Sequence, residues 1–231
     1  MIARRWFPAV ALTLLGCRGG SPKARDEPPV CFDVAVAVLK GGVVGSFSGS
    51  GPLTEVLDQA LAVDPARVTA RGFDSEGLAC GASRQIPLVR AWLDGLNRGC
   101  PRPPKVILVG HSLGGDSVRQ GSFAGTCVRI ALDPIDPCTV DPLRFPDSFN
   151  QRDETRAAAA ASGRTLDVLA GSLACNGVLS VECAGLLGYH IAGAEEIVLA
   201  GTDHCSDTCS VVREFVRRGI AADEVRACLA R

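Results

Sequence analysis

Aromatic side chains are scarce in this chain: Phe, Trp and Tyr make up 5% of its 231 residues. So small a share argues against a stacking platform for bases or a broad carbohydrate-binding surface. An excess of one charge is also lacking. Lys and Arg total 24 against 25 Asp and Glu, a net charge of -1. Nothing basic is left over to draw nucleic acid, and no long charged run marks a disordered tail. The apolar stretch 6–15 near the N-terminus is too short to span a bilayer comfortably. There is no paired CxxC and no HExxH. Only the closeness of His204, Cys205 and Cys209 speaks for a metal site, and none is expected. Histidine itself is rare, with three in the chain, His111, His190 and His204, which narrows the choice of a general base.

Apolar residues, by contrast, are plentiful. They form 47% of the chain, enough for a sizeable core, and the length suits one domain. At the N-terminus, Arg4 and Arg5 precede the apolar run, which ends in Leu14-Leu15-Gly16-Cys17. A positive start and a short apolar centre are the marks of an export signal. The closing tetrad resembles the lipobox of bacterial lipoproteins. That resemblance implies that residues 1–17 are a signal peptide, that Cys17 is acylated as the first mature residue, and that the protein is held on a membrane surface, on the periplasmic or cell-surface side. An ordinary cleaved signal peptide or an uncleaved anchor would account for the same stretch without lipid. Residues 18–29, rich in Gly, Pro, Ser and charge, read as a flexible tether, and the folded domain is expected over 30–231.

Cysteine usage agrees with export. Of 11 Cys, ten remain once Cys17 is set aside. An even number scattered over an exported domain implies up to five disulfides, with a connectivity that spacing cannot supply.

Strand-like and helix-like segments alternate through the body of the chain. Buried strands are predicted over 33–39 (DVAVAVL), 67–73, 105–109 (KVILV), 128–132, 166–169 and 196–200, because their apolar runs are short and rich in Val, Ile and Leu. Helices are predicted over 52–63, 84–96, 152–161, 206–218 and 222–229 from apolar residues at helical spacing. Such alternation implies an α/β fold: a mostly parallel central sheet of about six strands with helices on both faces.

Directly after KVILV comes Gly110-His111-Ser112-Leu113-Gly114-Gly115, with a plausible helix behind it. A sharp strand-to-helix turn lifts a Ser hydroxyl above the sheet and beside a helix N-terminus. It needs small residues on both sides of the Ser, which Gly110 and Gly114 provide. The amide of Leu113 is then placed to donate to a developing oxyanion. The competing reading is a Gly-rich turn with no chemistry.

GHSLGG in this setting resembles the lipases and esterases of the α/β-hydrolase superfamily. The likeness runs through most of the chain from Val30 onward, although the family's first two strands have no counterpart. It implies a compact α/β-hydrolase fold and cleavage of carboxylic esters through an acyl-enzyme, with no metal or cofactor. Ser112 is the nucleophile. His111 belongs to the turn itself, which leaves His190 and His204 as bases. In the family the base follows the last strand, as His204 does, whereas His190 precedes it. Many members carry the acid after the strand that here is 166–169, but Ala170-Gly171-Ser172 follows it. One strand earlier, Leu132-Asp133-Pro134-Ile135-Asp136-Pro137 resembles the LDPxxP segment of pancreatic-type lipases and chlorophyllases. Asp133 is therefore the expected acid, with Asp136 second; Asp203 stands next to His204, where two side chains seldom face each other. A turn residue before Pro is the bland alternative for Asp133.

The second oxyanion donor is expected from the loop after the first strand, where Lys40-Gly41-Gly42 and the Gly/Ser-rich stretch 45–51 lie. Gly41 and Gly42 are the candidates, and no single amide can be chosen. The segment 171–191 could form a small apolar cap or pack on the sheet. A thioesterase or acyltransferase would use the same triad, and a non-catalytic lipoprotein could use the fold as a binding scaffold. The expected partners are a small-molecule or lipid ester and, through Cys17, a membrane surface. No nucleic acid partner is expected, and the chain is expected to be a monomer.

Overall fold

In the computed structural model, residues 29–41, 51–74, 85–121, 123–134, 163–171, 194–202 and 210–231 are described. In chain order they form β1 (Val34–Leu39), α1 (Pro52–Val63), β2 (Val68–Phe73), α2 (Gln85–Asn97), β3 (Lys105–His111), α3 (Leu113–Gln120), β4 (Thr126–Leu132), β5 (Arg164–Gly171), β6 (Glu195–Ala200), α4 (Ser210–Arg217) and α5 (Ile220–Ala230).

Six strands make one sheet in the order β2-β1-β3-β4-β5-β6, and every neighbouring pair is parallel. Strand β1 shows why. All six of its residues are buried, so both of its faces must be covered, as in parallel sheets flanked by helices. Val34, Val36 and Val38 enter a core with Leu53, Val56 and Ala60 of α1 and with side chains of α4 and α5. Ala35, Ala37 and Leu39 face the other way, toward Val89 and Leu93 of α2 and Val118 of α3. Each fully buried Val or Ile in these strands contributes about 1.5–3 kcal/mol. Pro52 opens α1 in its first turn, where its missing N–H has no intrahelical acceptor to lose.

The strand order positions the site. The chain leaves β1 for the edge strand β2 and then returns to place β3 on the other side of β1. The helices that follow β1 and β3 therefore lie on opposite faces, α1 on one and α3 on the other. In open α/β sheets, ligands bind outside the carboxyl ends of two such strands.

At the opposite end of the sheet, two disulfides fasten the base. Cys31–Cys100 ties the start of β1 to the segment before β3, and Cys127–Cys228 ties β4 to α5. These are two of the five bridges the cysteine count allows. The other six cysteines, Cys80, Cys138, Cys175, Cys183, Cys205 and Cys209, lie outside the described residues.

The six predicted strands are all present. The largest difference in extent is at β5, which runs over Arg164–Gly171 where only 166–169 was predicted. Thr165 and Asp167 interrupt the apolar pattern, yet both are buried, Asp167 with no exposure at all. The predicted helix 206–218 is seen as α4, with residues 206–209 outside the described part, and 222–229 is seen as the slightly longer α5. The predicted helix 152–161, the signal segment 1–17 and tether residues 18–28 lie outside the described residues.

Candidate active site

The site begins with backbone rather than side chains. Ser112 follows the last residue of β3 and precedes the first of α3, with φ 58° and ψ -123°. An L-residue avoids that region, at a cost on the order of 1–3 kcal/mol, unless its surroundings enforce it. Here they do. A Cβ on Gly110 would collide with the carbonyl of Gly114, and one on Gly114 would collide with the carbonyl of Leu39 at the end of β1. The strand and the helix approach so closely that only glycine fits at both positions flanking His111-Ser112-Leu113. The amide of Ser112 donates to the carbonyl of Leu132 on β4 at 3.0 Å, which ties the turn to the neighbouring strand.

A Ser at a helix N-terminus normally turns its hydroxyl onto the amides of the first turn. Ser112 makes no such capping bond, because its backbone is not in the extended conformation that capping requires. The chain thus forgoes a common local stabilisation at a residue that it also strains. Ser112 is 8% exposed.

Asp133 is the mirror case one strand over. His111 and Leu132 are register partners on β3 and β4, so Ser112 and Asp133 are the first residues beyond the ends of adjacent strands. Asp133 has φ 40°, which is more unusual because Pro134 follows and biases its predecessor toward extended backbone. Its amide donates to the carbonyl of Val168 on β5 at 2.7 Å, and the residue is 3% exposed. Among the described residues, Ser112 and Asp133 are the two non-glycine residues with positive φ. Both sequence candidates therefore fall where the backbone is strained, which is common at functional sites.

Gly41 completes the described wall. It continues β1 by two residues, and a Cβ there would lie 2.5 Å from Cβ of Ser112 and 2.8 Å from the nitrogen of Leu113. The backbone at Gly41 thus rests against the turn, and the amide of Leu113 opens the first turn of α3, the positive end of that helix. His111 is buried at the end of β3. His204, His190, Gly42, Asp136, Asp203 and Cys17 lie outside the described residues. The last described residue before His204 is Thr202, whose hydroxyl donates to the carbonyl of Leu199 at 2.6 Å and closes the end of β6.

Two buried polar side chains around the turn escaped the sequence reading. Arg129, in the middle of β4, donates from Nε to the carbonyl of Gly121 at 2.6 Å. Gly121 caps the C-terminus of α3, so the guanidinium complements the negative end of the helix whose other end meets Ser112. Burial pulls the Arg129 pKa below its ordinary value. Gln85, the first residue of α2, is 3% exposed and donates from Nε2 to the carbonyls of Lys40 and Phe73, each at 2.9 Å. Neither carries a local sequence signal, because their partners are backbone carbonyls distant in sequence.

No protein-family model matches the chain, and no curated protein matches it by sequence. Solved structures do. The esterase domain of a Rhodothermus marinus protein is similar at 18% identity, over 87% of this chain and 89% of that one, with a TM-score of 0.53. A lipase/esterase from Lactobacillus plantarum is similar at 13% identity, over 87% and 88% of the two chains, with a TM-score of 0.50. Likeness at such identity establishes architecture alone: the chain has an α/β fold with an all-parallel six-stranded sheet, like these esterases.

Proposed function

We propose that the protein is a serine hydrolase that cleaves carboxylic esters through an acyl-enzyme. The observation that carries this reading is the backbone of Ser112. It sits at φ 58° and ψ -123° on a strand-to-helix turn, beside a second strained position at Asp133 and against Gly41. A fold does not imply a function, but backbone strain of this kind clusters at functional sites.

In this reading the chemistry runs through Ser112, His204 and Asp133. The Ser112 hydroxyl attacks the ester carbonyl carbon while the imidazole of His204 takes its proton. Asp133 accepts from the other ring nitrogen, which fixes the tautomer and stabilises the imidazolium. The carbonyl oxygen becomes an oxyanion, and the amides of Leu113 and Gly41 (or Gly42) donate to it. The alcohol leaves with the proton held by His204, water then attacks the acyl-enzyme, and the acid departs. Turnover of p-nitrophenyl esters of graded chain length tests this. The wild-type chain hydrolyses them, Ser112→Ala and His204→Ala lose at least about 10^3-fold in kcat, and His190→Ala remains active. Activity retained in Ser112→Ala contradicts the proposal; His190→Ala inactive beside an active His204→Ala moves the base to the other imidazole.

We also propose that Cys17 carries a lipid anchor on the outer side of a membrane. Two disulfides within the described residues suit an oxidising compartment, and the Leu14-Leu15-Gly16-Cys17 tetrad supplies the attachment point. Incorporation of labelled palmitate that disappears in Cys17→Ser supports the anchor; none in the wild-type chain, alongside a labelled control lipoprotein, removes it.

A further inference from the structure

We propose that Gln85 is a positioning residue for the oxyanion hole: its side-chain amide holds the Lys40–Gly41 peptide with the Gly41 N–H turned toward Ser112. This rests on the serine-hydrolase reading above and goes beyond it by naming what builds the second donor.

The argument follows the two sides of β1. This strand lies between β2 and β3. Just past its end, the amide of Lys40 donates to the carbonyl of Phe73, the last residue of β2, at 2.9 Å. In extended backbone a residue's N–H and C=O point to the same side, and those of the next residue point to the other. The carbonyl of Lys40 therefore also points toward β2. Gln85 reaches it there. Its Nε2 donates at 2.9 Å to the carbonyl of Lys40 and at 2.9 Å to that of Phe73, bridging the two strand ends from the first residue of α2.

The consequence lies on the other side of the same peptide plane. No peptide bond among the described residues is cis, so the N–H of Gly41 points opposite to the carbonyl of Lys40, toward β3. The turn at Ser112 packs closely on this peptide: a Cβ on Gly41 would collide with the carbonyl of His111 and lie 2.5 Å from Cβ of Ser112 and 2.8 Å from the nitrogen of Leu113. Glycine leaves this peptide free to rotate, since no side chain anchors it. An oxyanion hole works only if its donors are fixed before charge develops. Gln85 supplies the fixing bond, from a side chain that is buried and held by two acceptors at once.

Three variants test this: Gln85→Met, which keeps the bulk and removes the donors, Gln85→Glu, and Ser112→Ala as the control. Gln85→Met is expected to lower kcat on a p-nitrophenyl ester about 10- to 100-fold, less than the loss of a whole donor. Its KM stays within about two-fold, as expected for an interaction made in the transition state. Affinity for a trifluoromethyl ketone, which forms an oxyanion on Ser112, falls by the same factor as kcat. Gln85→Glu regains one donor when its carboxyl is protonated, so its kcat relative to wild type rises as pH falls. A KM effect without a kcat effect, unchanged trifluoromethyl ketone affinity, or a Gln85→Glu ratio flat with pH overturns the assignment. If Gln85→Met does not fold, the Gln85→Glu profile decides. Equal turnover by wild type and Ser112→Ala removes the serine-hydrolase reading and this one with it. Loss in Ser112→Ala with full activity in both Gln85 variants overturns the Gln85 assignment alone.

Discussion

Two non-glycine residues in the described chain hold positive φ, and they stand side by side at the ends of adjacent strands. Strain at Ser112 has a consequence for stability. Ser112→Gly and Ser112→Ala both remove the hydroxyl, but only glycine tolerates φ 58° and ψ -123° without strain. Ser112→Gly is expected to unfold at higher denaturant than Ser112→Ala, by about 1 kcal/mol, with both inactive. Equal midpoints would mean that the turn is not strained. At this scale the sequence was informative where the signal is local. GHSLGG names its own turn because Gly110, Ser112 and Gly114 act on one another within five residues. The place of Asp133 at a strand end is legible because an apolar run precedes it and Pro134 follows. Gln85 was not legible, since its acceptors, Lys40 and Phe73, are 45 and 12 residues away and present only backbone.

Among the elements, β1 and β3 were readable as strands because each is an unbroken apolar run buried on both faces. Strand β5 was readable only at its centre, because Thr165 and Asp167 are polar side chains inside the core, and periodicity registers hydrophobicity rather than burial. Cysteine pairing was not readable at all, since it depends on which strand ends and helices meet. The observed pairs make a prediction of their own. Cys127–Cys228 closes a loop of 101 residues between β4 and α5, at the end of the sheet away from Ser112. Replacing both cysteines with Ala is expected to cost about 2–5 kcal/mol of stability, read as a lowered Tm, with kcat of the folded fraction unchanged. A fall in kcat at full folding would show that the base of the sheet is coupled to the turn at Ser112.

For the molecule as a whole, what matters is the direction in which the chain arrives. Cys31 is fastened to Cys100 before β1 begins, so the polypeptide enters at the amino ends of the strands. Gly41, Ser112 and Asp133 stand at the carboxyl ends, roughly 20 Å away along a six-residue strand. Eleven residues separate Cys17 from Pro29, and if they form the tether that their composition suggests they would span about 17–20 Å on average. If Cys17 is anchored and the proposed hydrolase reading holds, these strand ends face away from the membrane and would take esters arriving from solution rather than lipids of its own bilayer. Inserting about 20 Gly/Ser residues into the tether should then speed hydrolysis of acyl lipids in the same vesicle several-fold and leave a soluble ester unaffected. Lipid hydrolysis that is already as fast with the natural tether would contradict this orientation.

The most direct test of the central claim is a fluorophosphonate probe on the folded, oxidised protein, with the adduct located by peptide mass spectrometry. A single phosphonylated peptide carrying the label on Ser112, absent in Ser112→Ala, is the predicted result; a folded wild-type protein that takes no label, or takes it on another residue, contradicts the account.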